Sequence, residues 1–457
     1  MTIRRNDILI KEKNPFENCV LDRAKYANIL SNIIKLHKDG FVLSINSPWG
    51  GGKTTFVKMW QQTLINDGFR TLYFNAWEND ITTDPIIAIL GELKKILKTN
   101  NEETFNKVVK SGALFAKKIV PGLGKAIVGK YLNVEVLSNI VENVLDASTE
   151  LFEKEVSEYT ERQQKIDDFR NHLKAFIEKE TPDKPLIFFV DELDRCRPDY
   201  AVETLEKIKH FFSVEGIVFV LSIDKDQLGN SIRGFYGSDR IDSDEYLRRF
   251  IDIEYHLPDP EIDSYTRYMF DYYDFDSFFS GRDSSQPEEK TDFLEFSSLL
   301  FRSEILNLRQ IEKLYTHARL TLSYISNGYS VHPSVLLTLL YLRNIQPSIY
   351  YNIKNRKYDI QSLTDVIEKI ILNIKEVAYF NSTIAQIIVI YDFYLLGDPY
   401  YPEERLLNKE GPNLELLFSC KADNVQMIKD IEKFRHQRYK KQLNRIINLI
   451  ELHQTIY

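Results

Sequence analysis

Four short apolar runs organise the first half of the chain. FVLSIN at 41–46 reads as a buried strand, and RTLYFNAWEN at 70–79 as a second, rich in aromatics. In KPLIFFVDELDRCRPD at 184–199 a continuous apolar strand ends in acids, and GIVFVLSID at 216–224 is another of the same kind. Uninterrupted apolar runs of this length suit strands covered on both faces. Between them, KTTFVKMWQQTLIND and YAVETLEKIKHFF place apolar residues at helical spacing. Strand, helix, strand alternation predicts an α/β fold, a parallel sheet flanked by crossover helices.

The stretch from about 84 to 180 reads as a helical insertion. Within it Glu103 and Glu135 bracket a segment with six lysines and no acid, at 104–134, threaded with apolar runs but too broken by lysine to span a bilayer. A solvated helical face accounts for it, with peripheral contact to a membrane surface or a partner as the alternative. GRDSSQPEEKTD at 281–292 reads as a linker, and the rest, 293–457, as mostly α-helical, ending in one long helix capped by Asp423. The first domain would then occupy 1–280. In the last helix Arg435, Arg438, Lys440, Lys441 and Arg445 stand beside Phe434 and Tyr439, a set that could grip nucleic acid, although such close spacing spreads them over several faces.

Composition narrows the picture. A chain of 457 residues can bury more than one core, and a net charge of −8 argues against indiscriminate coating of nucleic acid. Cys19, Cys196 and Cys420 are the only cysteines and lie far apart, which suits a reducing cytosol and a cytoplasmic protein rather than a disulfide frame or a zinc site. No apolar window reaches the length of a spanning helix, and no secretory signal opens the chain.

The candidate chemistry lies at INSPWGGGKTTF, residues 45–56. A phosphate-binding loop reads G-x-x-x-x-G-K-[ST], and here Gly52, Lys53 and Thr54 close it while Ser47 replaces the first glycine. A serine can make that turn if its backbone stays in an allowed region, and Gly50, Gly51 and Gly52 remain where the chain must curl. The loop backbone from Pro48 to Thr54, through Trp49 and the glycines, would cradle a triphosphate with its amides. Lys53 would reach the outer phosphates, Thr54 would ligate magnesium, and Thr55 would contact the innermost phosphate.

The partner motif is LIFFVDE. Asp191 closes its strand where open α/β sheets bind ligands and would hold the magnesium, while Glu192 is placed to deprotonate an attacking water. Asp194 is a rival base. Arg195 could pair with it, reach a neighbour's nucleotide or hold the turn. Asp224, ending the following strand, could sense the terminal phosphate or cap the next helix.

At these residues the chain resembles the KAP family of P-loop NTPases, through PWGGGKT, FNAW (Phe74 to Trp77), DELDRCRP and YLRRFIDIEYHLP at 246–258, over about residues 15 to 330. The resemblance implies the ASCE type of P-loop sheet, with an extra strand between the two Walker strands. It also implies a basic role for Arg249 and a second-sensor role for Arg309 in NLRQIEKL. Many members carry two membrane-spanning helices between the Walker motifs, where this chain has its lysine-rich segment, so it resembles a soluble member. The implied function is that of a magnesium-dependent ATPase acting as a conformational switch or in assembly, working as a homo-oligomer or with a partner protein. Some relatives act in defence against phages. Three alternatives stay open: a nucleic-acid-stimulated motor or nuclease-associated ATPase, a nucleotide-gated scaffold with little hydrolysis, and a small-molecule kinase. The absence of an N-K-x-D motif leaves ATP rather than GTP as the default nucleotide.

Overall fold

The computed structural model describes residues 8–37, 39–81, 84–98, 101–119, 151–282, 288–303, 306–325, 329–371, 377–396, 405–408, 414–435 and 442–452. The chain divides into two compact units, residues 7–259 and a second unit comprising residues 260–457 with the first six residues.

The unit 7–259 is built on a five-stranded parallel sheet. Its strands are β1 (Val42–Asn46), β2 (Thr71–Asn75), β3 (Leu186–Asp191), β4 (Ile217–Ile223) and β5 (Ile253–His256), in the spatial order β2-β3-β4-β1-β5. β3 and β4 are buried at every position, as their continuous apolar sequences require. β4 lies between β1 and β3, so one strand separates the loop-bearing strand from the acid-bearing one, which is the ASCE arrangement.

Two differences from the sequence reading follow from local chemistry. The aromatic strand stops at Asn75, whose side-chain carbonyl accepts from the amides of Trp77 and Glu78 and starts a helical turn over Ala76–Asn79. The fifth strand, Ile253–His256, carried no apolar run. It pairs only with β1, and its outer residues Glu254 and His256 are exposed.

Each face of the sheet has its own core. One is covered by α1 (Ala24–Leu36) and α2 (Lys53–Asn66), with Leu30, Ile34, Phe56, Val57 and Leu64 packed on Leu43, Ile45, Phe189 and Val220. Trp60 joins these layers: it is fully buried, its indole N–H donates to Ser31 Oγ at 2.9 Å, and its ring meets Phe189 edge-on at 5.4 Å. The opposite face is covered by the helices Pro85–Lys94, Glu102–Ile119, Leu151–Glu180, Pro198–Lys207 and Lys225–Tyr236. The helix after β1 thus lies on one face and the helix after β4 on the other. A crevice between the carboxyl ends of adjacent strands arises at such a switch point.

The unit from 260 onward is mostly α-helical, with helices such as Glu289–Ser303, Leu308–Leu322, Pro333–Ile345 and Val377–Leu396, and a two-residue hairpin pairing Leu407–Asn408 with Glu415–Leu416. At its end the helix Asn424–Arg435 starts on Asp423, whose carboxylate accepts from the Gln426 amide at 2.8 Å. A second helix runs over Gln442–Ile450. Residues 436–441, which carry Arg438, Tyr439, Lys440 and Lys441, and residues 120–150 of the insertion lie outside the described residues. Among the described residues no helix is long and apolar enough to cross a membrane.

Candidate functional site

The loop between β1 and α2 is shaped by glycine. Gly50 and Gly52 take φ of 82° and 84°, in the left-handed region that other residues enter at a cost, whereas Ser47 is not among the positive-φ positions. Ser47 therefore makes the first turn in ordinary backbone geometry. Its hydroxyl fills a defined space, since a Cβ on Gly51 would lie 2.2 Å from Ser47 Oγ. Serine at 47 thus demands glycine at 51.

Gly52 is the N-cap of α2, and no side chain caps that helix. Its first-turn amides, at Lys53, Thr54 and Thr55, therefore have no side-chain acceptor and present donors and a positive helix end, the arrangement that binds an anion. Lys53 is 8% exposed, with Nζ donating to the carbonyls of Ser47 at 2.5 Å and Pro48 at 3.4 Å. Burial lowers its pKa, against the pull of Asp194, Asp224 and Asp191.

Three acids surround that lysine. Asp191, at the end of β3, is almost fully buried; its Oδ2 accepts from Tyr73 at 2.7 Å and its Oδ1 from the Glu192 amide at 3.0 Å. Asp194 accepts from the Trp49 indole N–H at 2.5 Å, and burial raises its pKa. Asp224 does two things at once, with Oδ1 accepting from the Gln227 amide at 3.2 Å as the N-cap of Lys225–Tyr236 and Oδ2 accepting from the Trp49 amide at 2.9 Å. Asp224 therefore caps the helix and also holds the loop at Trp49. A cleft of about 540 Å³ opens beside Ser47 and Pro48, with Asp224 on its wall.

Glu192 sits just past β3 in a left-handed conformation, φ 62°. Its Oε2 accepts from Asn75 Nδ2 at 3.0 Å, and its Oε1 pairs with Arg195 at 2.6 Å. The Arg195 guanidinium also lies over the half-exposed ring of Trp77, 5.7 Å from its centroid. Arg195 thus pairs with Glu192, not with Asp194. Arg249 ends the helix Ser243–Arg248 and is exposed; Arg309 is exposed on the helix Leu308–Leu322 of the other unit.

Three residues at this site are assigned no role by the sequence, although Asn75 lies within the FNAW motif. Asn75 lies in register with Asp191 across β2 and β3, which only the pairing reveals. Tyr73 donates to Asp191 from the same strand, and its own pKa is pushed far up by burial. Arg23 is 3% exposed and donates to the carbonyls of Gly51 at 2.8 Å and Gly52 at 3.3 Å.

The uncapped glycine loop, the lysine and the acid-closed strand beside it have the arrangement of a phosphate-binding loop, and the sequence matches the KAP family P-loop domain over residues 23–390. The chain belongs to the KAP family. The match starts at Arg23 and runs through the KAP strands and the loop into the helical unit. No curated protein matches the chain. Among solved structures, the KAP chain is similar to that titled "Structure of the Aeropyrum Pernix ORC2 protein (ADPNP-ADP complexes)", at 12% identity over 94% of each chain with a TM-score of 0.29, a likeness too loose to bear on site or function. KAP membership carries nucleotide binding by a P-loop. Among the described residues no group of three or more His, Cys, Asp or Glu side chains could hold a metal by itself. The Thr54 hydroxyl and the Asp191 carboxylate are oxygen donors of the kind a hard cation takes.

Proposed function

We propose that this protein binds ATP with magnesium and hydrolyses it, using the turnover as a conformational switch or in assembly. One observation carries the reading: an uncapped, glycine-shaped helix start, with Lys53 folded into it, faces a buried acid from the strand two places away in the sheet. The loop amides and Lys53 hold the phosphates, and Thr55 contacts the innermost one. Thr54 and Asp191 would hold the magnesium, which when bound supplies the charge that offsets the transferred phosphoryl group.

Glu192 takes the proton of the attacking water on a carboxylate oxygen. Each of its oxygens accepts one contact, from Asn75 and from Arg195, so the proton goes to a remaining lone pair and those two partners tune the basicity of the carboxylate. Turnover would then respond to changes at those two partners. Asp224, anchored to the loop at Trp49, registers the terminal phosphate, and Asp194 tunes the charge of Lys53. The helical unit carries the resulting state onward. If Arg249 or Arg309 completes the site of a second copy, turnover per protomer rises with protein concentration. The cysteine usage supports a cytoplasmic setting.

The test is magnesium-dependent ATP turnover by the wild type and by Glu192→Gln, with nucleotide binding measured in both. Turnover in the variant should fall by roughly a hundredfold or more with binding retained. A wild type that binds no nucleotide, or a variant as fast as wild type, overturns the reading.

A further inference from the structure

Arg23 is a buried cation in an unusual setting. It is the N-cap of α1 and 3% exposed; burial lowers its pKa, against the attraction of Asp259, with which it makes no ion pair among the described residues. Its guanidinium donates instead to backbone carbonyls: Nη2 to Gly51 at 2.8 Å and to Pro258 at 3.5 Å, and Nη1 to Gly52 at 3.3 Å. Burying a guanidinium is costly unless its donors are used, so these carbonyls are what hold it there.

The carbonyls of Gly51 and Gly52 belong to the peptides whose N–H groups are those of Gly52 and Lys53. In a trans peptide the C=O and N–H point in opposite directions. A planar fork that gathers the two oxygens on one side of the loop therefore turns both amides to the other. The Gly51 carbonyl has no helical acceptor role to fix it, whereas that of Gly52 also accepts from Phe56 at 3.1 Å and so joins the fork to α2. Because φ is soft in glycine, the Gly51–Gly52 peptide could otherwise rotate at little cost, whereas the Gly52–Lys53 peptide is already tethered to α2 through Phe56.

We infer that Arg23 is a positioning residue for nucleotide binding, which presets the phosphate-facing orientation of the Gly52 and Lys53 amides from behind the loop without touching the ligand. This rests on the phosphate-binding reading of the loop. Two consequences separate it from a general stabilising role. Geometry, not charge alone, is what the fork supplies, so lysine is not a substitute. The benefit also goes to any nucleotide whose phosphates lie in the loop, so ADP and ATP are affected alike.

The experiment uses the full chain, comparing wild type with Arg23→Lys and with Arg23→Gln, which keeps an N–H donor without the charge. Binding of MgADP and MgATP is followed calorimetrically, together with kcat at saturating ATP and the circular dichroism of each protein. The expected result is a Kd raised about tenfold or more for both nucleotides in both variants, with kcat within about twofold of wild type and unchanged dichroism. Wild-type affinity in Arg23→Lys overturns the inference, because charge alone would then suffice. So does a fall in kcat with Kd unchanged, or loss of the fold in both variants, which would make Arg23 a folding residue. A wild type that binds neither nucleotide defeats the phosphate-loop reading itself and is recognised before any variant is compared.

Discussion

Buried charge is distributed differently in the two units. In the sheet unit, Arg23, Lys53, Asp191, Asp194 and Asp224 are all less than 9% exposed and converge on one loop, where several contest the same partners. In the helical unit, buried acids are dispersed, and three of them are satisfied locally. Asp392 pairs with Arg405 at 3.0 Å, Glu368 accepts from the Lys421 amide at 2.5 Å, and Glu289 accepts from Ser330 at 2.7 Å and Val331 at 2.6 Å. A dispersed acid that ties down one segment is explained by the fold it holds. Convergent charges around one loop, with a lysine whose pKa is lowered and an aspartate whose pKa is raised by burial, are the kind of arrangement found at functional sites.

The largest expected effect tests the converging set. Lys53→Ala should weaken nucleotide binding on the order of a thousandfold, about 4 kcal/mol, while barely moving the urea midpoint of the ligand-free protein. A large loss of stability with little loss of binding would reverse the comparison, making this charge part of the fold.

The helical unit offers the converse. His332 is 7% exposed, and burial, aided by Arg445, lowers its pKa to about 4. The folded value lies below the unfolded one of about 6.5, so the folded state resists a proton that the unfolded chain accepts. Stability from this residue is full above pH 6.5 and is lost as the pH falls toward 4, by on the order of 3 kcal/mol. Urea denaturation at pH 7 and pH 4 should show a smaller pH-dependent drop in His332→Gln than in wild type. Equal drops would mean that the imidazole is solvated.

Next in size is Arg405→Ala. It strands the fully buried Asp392, though Arg405 is itself 40% exposed and water can replace part of what it gives. A loss of about 2 kcal/mol in urea is expected, with nucleotide affinity unchanged, and coupling to affinity would count against a purely local role.

The same contrast explains what could be read in advance. Four strands were legible because β1 to β4 carry apolar runs long enough to stand out; β5 was not, because Ile253 and Tyr255 alternate with exposed Glu254 and His256 at a sheet edge. The loop and the acids after β3 were legible because their chemistry is contiguous in sequence. The roles of Asn75 and Arg23 were not: Asn75 stands in the FNAW motif but acts across a strand register, and Arg23 acts through backbone oxygens 28 residues away and leaves no pattern in its own neighbourhood. Arg195 could be placed near the acids but not assigned a partner, since the turn that swings it onto Glu192 rather than Asp194 depends on the left-handed backbone at Glu192.

The smallest effect concerns a contact within the converging set. Trp49 is held by its amide to Asp224 and by its indole to Asp194, and Trp49→Phe removes only the second. Because Trp49 is 42% exposed, water can partly restore the bond, so the Michaelis constant for ATP should rise only about fivefold, near 1 kcal/mol. The indole bond is one of the interactions that lower the Asp194 pKa against the burial that raises it. Without it that pKa moves up. If Asp194 must be ionised for turnover, the acidic limb of the kcat/KM profile shifts to higher pH in the variant. If the limb stays where it is while the constant rises, the ionisation of Asp194 is not felt by the reaction, and the base is Glu192 alone.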